Sequence, residues 1–284
     1  MKRLLEVLQA ATEYLAARGV ENARLVTEQL MSHVLDCPRL QLYVRFESIL
    51  SETQLEALRR GMKRLAAGEP LQYVTGDTAF MGHTFKTDRR ALIPRPDTEP
   101  LVEAVLACEP LWGRPSPAIV EVGTGSGCVA ISLALARPAA YTAIDASPDA
   151  LALAAENADR LQVADRLTFR QGDLLAGLAA ESADAVVANL PYIRTADLAA
   201  LPRHIREHEP VLALDGGEDG LACIRRLVGQ TPAVLRPDGW LFLEIGCDQG
   251  AAVSACLGEL GYADVAIQPD RGGRDRVASG RRAG

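Results

Sequence analysis

Apolar residues in the first 68 positions recur at the spacing of an α-helix. Ser51 and Gln54 have the spacing of a capping box at the start of one such pattern, and Gly68 can end it. We therefore predict a small all-helical domain over residues 1–70. The apolar positions fall into three sets: Leu4, Leu5, Leu8, Ala11 and Leu15; Leu25, Leu30 and Val34; and Leu55, Leu58, Met62 and Leu65.

Residues 69–96 change character, because aromatic and β-branched residues alternate there with turn formers. This pattern predicts a short β-hairpin, which we assign as a linker over residues 71–92. The residues that carry it are Tyr73, Val74, Phe80 and Phe85, with Gly76, Asp77, Gly82 and Asp88 between them.

From residue 101 onward, helical and strand patterns alternate, which predicts an α/β domain over residues 93–284 with a mostly parallel, doubly wound sheet. The pattern also favours a short helix between the third and fourth strands. Strand patterns occur at 118–122, 141–145, 167–170, 185–188, 240–245 and 264–267, and helical patterns at 101–108, after 127, from 148, near 218–235 and after 245.

Length and charge narrow the function classes. The chain has 284 residues, of which 48% are hydrophobic and 24% charged, as in folded globular proteins. Its net charge is −7, with the acidic excess after residue 90, so a strongly basic nucleic-acid footprint is missing. We find no signal peptide and no apolar run long enough to span a membrane, and expect a cytoplasmic protein. The six cysteines form no C-x-x-C pair, which predicts free thiols.

A glycine-rich turn, Gly123-Thr-Gly-Ser-Gly127, joins the first strand to a helix. Such a turn brings backbone N–H groups to the carboxyl edge of the sheet, where a ligand can approach closely. Cys128 stands where the dinucleotide fingerprint needs its third glycine, so a pyrophosphate site is disfavoured. Asp145 and Asp173 end the next two strands, where carboxylates can meet a ribose and an adenine edge. The alternative is a tight connection without a ligand.

The fourth strand is followed by Asn189-Leu-Pro-Tyr192, at the same edge as the glycine turn. A planar NH₂ group is a poor nucleophile, because its lone pair is delocalised. The Asn189 side-chain oxygen and the Leu190 carbonyl can each accept one of its N–H groups and aim the nitrogen. Tyr192 can pack flat on the planar group. The alternative is a turn in which asparagine and proline are simply favoured.

These residues resemble the class I S-adenosylmethionine-dependent methyltransferases. In that class the motif here read as Glu121-Val-Gly-Thr-Gly-Ser-Gly127 holds the methionine part of the cofactor, and the acid at Asp145 holds the ribose. The resemblance implies S-adenosyl-L-methionine as cofactor and S-adenosyl-L-homocysteine as product. The expected cofactor-binding residues are Glu121, Gly123, Thr124, Gly125, Ser126, Gly127, Asp145, Asp173, Leu174 and Asn189.

The Asn189–Tyr192 motif resembles the Asn-Pro-Pro-Tyr signature of methyltransferases that modify adenine N6 or a glutamine amide. Leu190 replaces the first proline, a departure also typical of ribosomal RNA adenine dimethyltransferases, and leaves the substrate open. A residue before proline is held extended in either case, so its carbonyl can point the same way.

Two further stretches resemble the signature of the peptide chain release factor N5-glutamine methyltransferases. They are Ile93-Pro-Arg-Pro-Asp-Thr-Glu99 and Glu209-Pro-Val-Leu-Ala-Leu-Asp-Gly-Gly217 with Asp219-Gly-Leu221. The resemblance implies a seven-stranded sheet, an N-terminal substrate-recognition domain, and methylation of the glutamine in the Gly-Gly-Gln loop of release factors. The expected catalytic residues are Asn189, Pro191 and Tyr192, and the expected substrate-binding residues are these three with Leu190 and Arg95. The alternative for Arg95 and Glu99 is a surface ion pair.

Two rival functions stay open: an adenine-N6 methyltransferase acting on RNA or DNA, and a cofactor-binding protein without activity. His204-Ile-Arg-Glu-His208 matches the H-x-x-E-H zinc pattern, but no third ligand is evident and we expect no metal. We expect release factors as partners, no stable nucleic acid, no membrane and a monomeric state.

Overall fold

A computed structural model describes residues 2–284 and divides them into two compact units. The first contains the residues up to Asp77 together with Pro202–His208, and the second contains Thr78–Leu201 and Glu209–Gly284. The chain thus leaves the second unit once, through a seven-residue segment that contains the H-x-x-E-H pattern.

The first unit is helical, as predicted. The Ser51 capping box is present: the Ser51 hydroxyl accepts the Gln54 N–H at 3.2 Å, and the Gln54 side chain accepts the Ser51 N–H at 2.9 Å. Leu4, Leu8 and Leu15 are fully buried in its core. Its helices are α1 (Leu4–Ala16), α2 (Ala23–Val34), α3 (Arg39–Val44), α4 (Glu52–Ala66), α5 (Leu71–Thr75) and, in the returning segment, α10 (Arg203–Arg206).

The predicted hairpin is shorter than the pattern indicated. Tyr73 and Val74 lie in α5, which follows Pro70 and ends at Gly76 in the left-handed conformation with φ 83°. The hairpin consists of β1 (Asp77–Phe80) and β2 (His83–Lys86). Most of it belongs to the second unit, where Phe80 and Phe85 pack edge to face in the core.

The second unit is an α/β structure built on one large sheet. Its helices are α6 (Glu99–Ala107), α7 (Glu109–Trp112), α8 (Cys128–Ala136), α9 (Pro148–Arg160), α11 (Ala222–Val234) and α12 (Gly250–Glu259). Its sheet strands are β3 (Ala118–Val122), β4 (Ala140–Asp145), β5 (Leu167–Gln171), β6 (Ala183–Ala188), β7 (Leu235–Glu244), β8 (Tyr262–Pro269) and β9 (Asp275–Arg282). Single-turn 3₁₀ segments occupy Pro96–Thr98, Ala164–Arg166 and Val211–Ala213, and a longer one occupies Thr195–Ala200.

The seven strands lie in the order β5-β4-β3-β6-β7-β9-β8, which confirms the expected mostly parallel, doubly wound sheet. Strands β3 to β7 are parallel, and β9 runs antiparallel between β7 and β8. The chain order reverses between β3 and β6, so a crevice forms where these two neighbours end. The glycine turn follows β3 and the Asn189 motif follows β6.

The prediction of a short helix between the third and fourth predicted strands is wrong. Residues 172–182 form turns instead, with Leu174 at φ 53° and Gly177 at φ 72°, both outside the helical region. Among residues 2–284, no helix combines the length and apolarity needed to cross a bilayer. All six cysteines are free thiols, as predicted.

Candidate active site

The glycine turn is shaped by backbone conformations that side chains disfavour. Gly123 has φ 74° and Gly127 has φ 81°. A Cβ on Gly123 would lie 3.2 Å from the Leu190 side chain, and one on Gly127 would lie 2.8 Å from Ile131. The first glycine therefore lets the turn pass close to the motif after β6, and the last lets α8 begin immediately against α9.

Asp145 ends β4 and is tied to the glycine turn. One of its carboxylate oxygens accepts the Gly125 N–H at 2.8 Å, and the other accepts the Ser147 N–H at 2.9 Å. Both bonds come from rigid backbone, so the carboxylate is fixed in position. Each oxygen keeps a further lone pair for a hydroxyl group of a ligand.

Glu121 lies on β3 with its side chain almost completely buried. The same oxygen accepts the Thr124 hydroxyl at 2.5 Å and the Ala130 N–H at 3.2 Å. Burial raises the pKa of Glu121 to about 8, and the nearby Asp145 carboxylate adds to this rise. A cation placed beside Glu121 would relieve both effects.

A cavity of about 240 Å³ opens at this edge of the sheet. It brings together the following predicted residues: Glu121, Gly123, Thr124, Gly125, Ser126, Asp145, Asp173, Leu174, Asn189, Leu190, Pro191 and Arg95.

The charged side chains around the cavity are unevenly paired. The three arginines in its wall each have a carboxylate partner: Arg90 pairs with Asp88 and Glu156, Arg95 with Glu209, and Arg226 with Asp173. Among the residues that the structure describes, Glu121 and Asp145 have no such cationic partner. The cavity therefore suits a ligand that carries positive charge and hydroxyl groups.

Asn189 stands beside this cavity, one residue after β6. Its side-chain nitrogen donates to the Thr98 hydroxyl at 3.0 Å. Leu190 is buried against the glycine turn, and Leu190 and Pro191 both line the cavity. The motif thus borders the place where the glycine turn and Asp145 converge.

Comparison with known proteins shows the family to which this chain belongs. The chain is 43% identical over 277 residues to the release factor glutamine methyltransferase of Geobacter sulfurreducens, a match that covers 97% of this chain and 95% of the relative. It is 46% identical over 275 residues to the protein of the same name from Moorella thermoacetica, with 96% of each chain covered. The chain belongs to the release factor glutamine methyltransferase family.

Two domain families match separate parts of the chain. Residues 6–76 match the PrmC N-terminal domain, and residues 119–216 match a methyltransferase domain. A solved structure of the release-factor-specific protein-(glutamine-N5) methyltransferase from Alicyclobacillus acidocaldarius is 32% identical, with 70% of this chain and all of that chain covered and a TM-score of 0.42.

Two predicted site residues of this family member do not line the cavity. Gly127 precedes α8 and packs toward Ala154. Tyr192 packs against the core, and its hydroxyl donates to Glu244 at 3.3 Å. Burial raises the pKa of the Tyr192 phenol well above its ordinary value, with Glu244 adding to the rise. In this structure the Tyr192 hydroxyl therefore belongs to the packing behind the cavity.

Arg95 connects the two long signature stretches of the family. Its guanidinium pairs with the fully buried carboxylate of Glu209, whose other oxygen accepts the Ile93 N–H at 3.2 Å. The surface pair between Arg95 and Glu99 that we considered is not formed. Glu99 instead accepts the Met81 N–H and lies near Arg271.

The H-x-x-E-H pattern lies in the first unit, largely on the single turn of α10. Glu207 forms ion pairs there with Arg203 and Arg206. Throughout residues 2–284, no group of three or more histidine, cysteine, aspartate and glutamate side chains is arranged to hold a metal ion.

Sequence reasoning missed Thr98, Glu244 and Arg276 beside the site. Thr98 lies within the signature stretch of residues 93–99, but the sequence pattern did not predict a role for it in the site. Glu244 ends an apolar strand, and a carboxylate at that position is the signal that could have found it. Arg276 lies on β9, a strand that the pattern did not predict.

Proposed function

We propose that this protein transfers a methyl group from S-adenosyl-L-methionine to the side-chain amide nitrogen, N5, of the glutamine in the Gly-Gly-Gln loop of peptide chain release factors. The product would be S-adenosyl-L-homocysteine, and the modification would modulate translation termination. The observation that carries the proposal is the match, over nearly the whole chain, to proteins named release factor glutamine methyltransferase.

The cavity residues fit this methyl donor. Its sulfonium and amino group are cationic, and Glu121 and Asp145 are wall carboxylates that no arginine neutralises. We assign Asp145 to the ribose hydroxyls, and Asp173 with Leu174 to the adenine side. We assign Glu121 and the turn 123–127 to the methionine part. When bound, the donor supplies a methyl carbon activated by the sulfonium, whose sulfur takes the bonding electrons as the methyl leaves.

The chain's own task is to hold the amide nitrogen. The Asn189 side-chain oxygen and the Leu190 carbonyl each accept one N–H of the glutamine, which aims the nitrogen at the methyl carbon. A new N–C bond forms and one N–H proton is released. Pro191 keeps Leu190 extended, so that its carbonyl can face the amide.

Tyr192 and Arg95 have supporting roles in this proposal. We propose that Tyr192 packs against the substrate amide once a release factor is bound, and that Arg95 contributes to the substrate side of the cavity. We further propose that residues 1–70 recognise the release factor. The enzyme would act in the cytoplasm as a monomer, with no membrane and no stable nucleic acid as partner.

The test offers three acceptors side by side with a labelled methyl donor: a purified bacterial release factor, its variant with alanine in place of the loop glutamine, and ribosomal RNA. We expect label only in the unmodified release factor. Label in the RNA would support the adenine-N6 alternative instead. Donor binding without label in any acceptor would support a cofactor-binding protein without activity.

A further inference from the structure

We propose that Thr98 and Glu244 are positioning residues that fix which end of the Asn189 amide faces the acceptor. This inference rests on the proposed function. The amide group of an asparagine side chain can rotate by about 180°, which exchanges the positions of its oxygen and its NH₂ group. The two groups have similar shapes. Only the orientation with the oxygen toward the acceptor can receive an N–H from a substrate amide. The rest of the site must therefore select one orientation.

The first observation is the partner of Asn189. Its NH₂ group donates to the Thr98 hydroxyl at 3.0 Å, and Thr98 is 2% exposed. Because the Thr98 oxygen acts as acceptor in this bond, the hydroxyl proton must point elsewhere. A hydroxyl has one proton and two lone pairs, so the direction of its own donation decides what it can accept.

The second observation is the carboxylate behind Thr98. Ala188 on β6 and Leu243 on the neighbouring parallel strand β7 are register partners. Asn189 follows the first and Glu244 follows the second, so these two residues occupy matching positions at the sheet edge. Glu244 is 2% exposed, and one of its oxygens accepts a hydrogen bond from the Tyr192 hydroxyl. Its other oxygen lacks a hydrogen-bond partner among the described residues. The carboxylate thus has capacity for a further donor.

Several neighbours of Glu244 act against the effect of its burial. Burial raises its pKa to about 7, and the Thr98 hydroxyl, Arg276 and Tyr192 act against a further rise, while Asp97 adds to it. An ionised carboxylate can only accept hydrogen bonds. In the proposed network the Thr98 hydroxyl donates to the Glu244 oxygen that has no other partner. Its oxygen accepts from the Asn189 NH₂ group, and the Asn189 oxygen is left to face the acceptor.

Arg276 holds the opposite side of this network. Its guanidinium donates to the Ile245 carbonyl at 3.0 Å and lies 3.6 Å from Asp270 and 3.8 Å from Asp97. It also approaches the Tyr192 hydroxyl at 3.5 Å. Tyr192 thus directs its proton to Glu244, which gives this signature residue a role that does not require contact with the substrate.

The test compares Thr98→Val with Thr98→Ser under saturating donor and release factor. Valine keeps the shape but removes the hydroxyl, so we expect kcat to fall by about tenfold or more, while the donor Kd and the melting temperature stay near their wild-type values. Serine keeps the hydroxyl and should restore most of kcat. Thr231→Val is the matched control, because Thr231 is also buried and hydroxyl-bonded but faces Tyr262, away from the cavity.

Glu244→Gln is the second variant. The NH₂ group of the introduced glutamine can donate to the Thr98 oxygen, so the Thr98 hydroxyl can donate to the Asn189 oxygen. This arrangement turns the Asn189 NH₂ group toward the acceptor, which predicts a lower kcat with an unchanged donor Kd. Wild-type kcat in Thr98→Val, or equal losses in the valine and serine variants, would overturn the inference. Failure of the wild-type enzyme to methylate any release factor would instead refute the proposed function.

Discussion

The carboxyl group of Glu121 lies in the cavity wall with almost no exposure to water, and burial raises its pKa to about 8. A carboxyl group with a raised pKa stabilises the folded state at low pH, and this contribution is lost as the pH rises through about 8. Deprotonation therefore costs folding free energy in the empty protein. A cationic ligand recovers part of that cost, which links donor binding to the charge of this residue.

We predict that S-adenosylmethionine binds more weakly as the pH falls below about 8, because binding must then expel a proton from Glu121. The Kd should rise by up to about tenfold per pH unit. Isothermal calorimetry between pH 6 and 9 measures this dependence, with Glu121→Gln as the control for titration of the ligand itself. Equal pH dependence in both proteins would contradict the role of Glu121.

Asn189 carries the second prediction at the residue scale. Asn189→Ala should lower the methylation rate by about a hundredfold or more, because a reacting group misplaced by about 1 Å can cost that much. Asn189→Asp keeps an acceptor but loses the NH₂ donor to Thr98 and adds a charge, so its loss should be substantial but incomplete. If both variants bind the donor and react at the wild-type rate, the motif is only a turn.

At the scale of elements, the glycine turn is the connection most sensitive to substitution. Gly127→Ala would force a left-handed residue to carry a Cβ that lies 2.8 Å from Ile131 and 3.0 Å from Ala154. We predict a loss of about 1–3 kcal/mol in the free energy of unfolding, measured by urea denaturation. Gly258→Ala in α12 is the control, since a Cβ there meets nothing within 4 Å. Equal stability of the two variants would contradict this account.

Strands with continuous apolar runs were predictable, while elements defined by tertiary contacts were not. The segments 118–122 and 185–188 are buried on both faces of a parallel sheet, so their sequences report their positions directly. Strand β9 carries Asp275, Arg276, Arg281 and Arg282, and its burial depends on β7 and β8 on either side. Its sequence alone therefore gives no strand signal.

At the scale of the whole molecule, the pair between Arg95 and Glu209 joins segments more than a hundred residues apart. Arg95→Met would leave the buried Glu209 carboxylate without its cation. We predict a loss of about 3 kcal/mol or more in thermal or urea unfolding, and partial recovery in the double variant with Glu209→Gln. The control is Arg194→Met, which breaks an exposed pair with Asp248 and should change stability little. Wild-type stability of Arg95→Met would contradict the prediction.

The site was predictable as far as strand ends determine it. Asp145 and Asn189 were predicted because chemistry-bearing residues at the carboxyl ends of parallel strands meet at one edge. Glu121 was assigned from the resemblance to the class I methyltransferases. The contacts of Asn189 with Thr98, of Arg95 with Glu209 and of Tyr192 with Arg276 were not predictable. These three partners come from a 3₁₀ segment, a loop and an antiparallel strand, whose approach only the folded chain shows. Local sequence therefore predicted which residues meet at this sheet edge, and tertiary packing supplies the neighbours that contact them.

The most direct test of the central claim is to locate the methyl group. A release factor incubated with the wild-type enzyme and S-adenosylmethionine is digested, and the peptide that contains the Gly-Gly-Gln loop is fragmented by mass spectrometry. The account predicts the mass of one added methyl group on the glutamine side chain, and a strongly reduced amount with Asn189→Ala. A methyl group on any other residue, or none in the presence of bound donor, would contradict it.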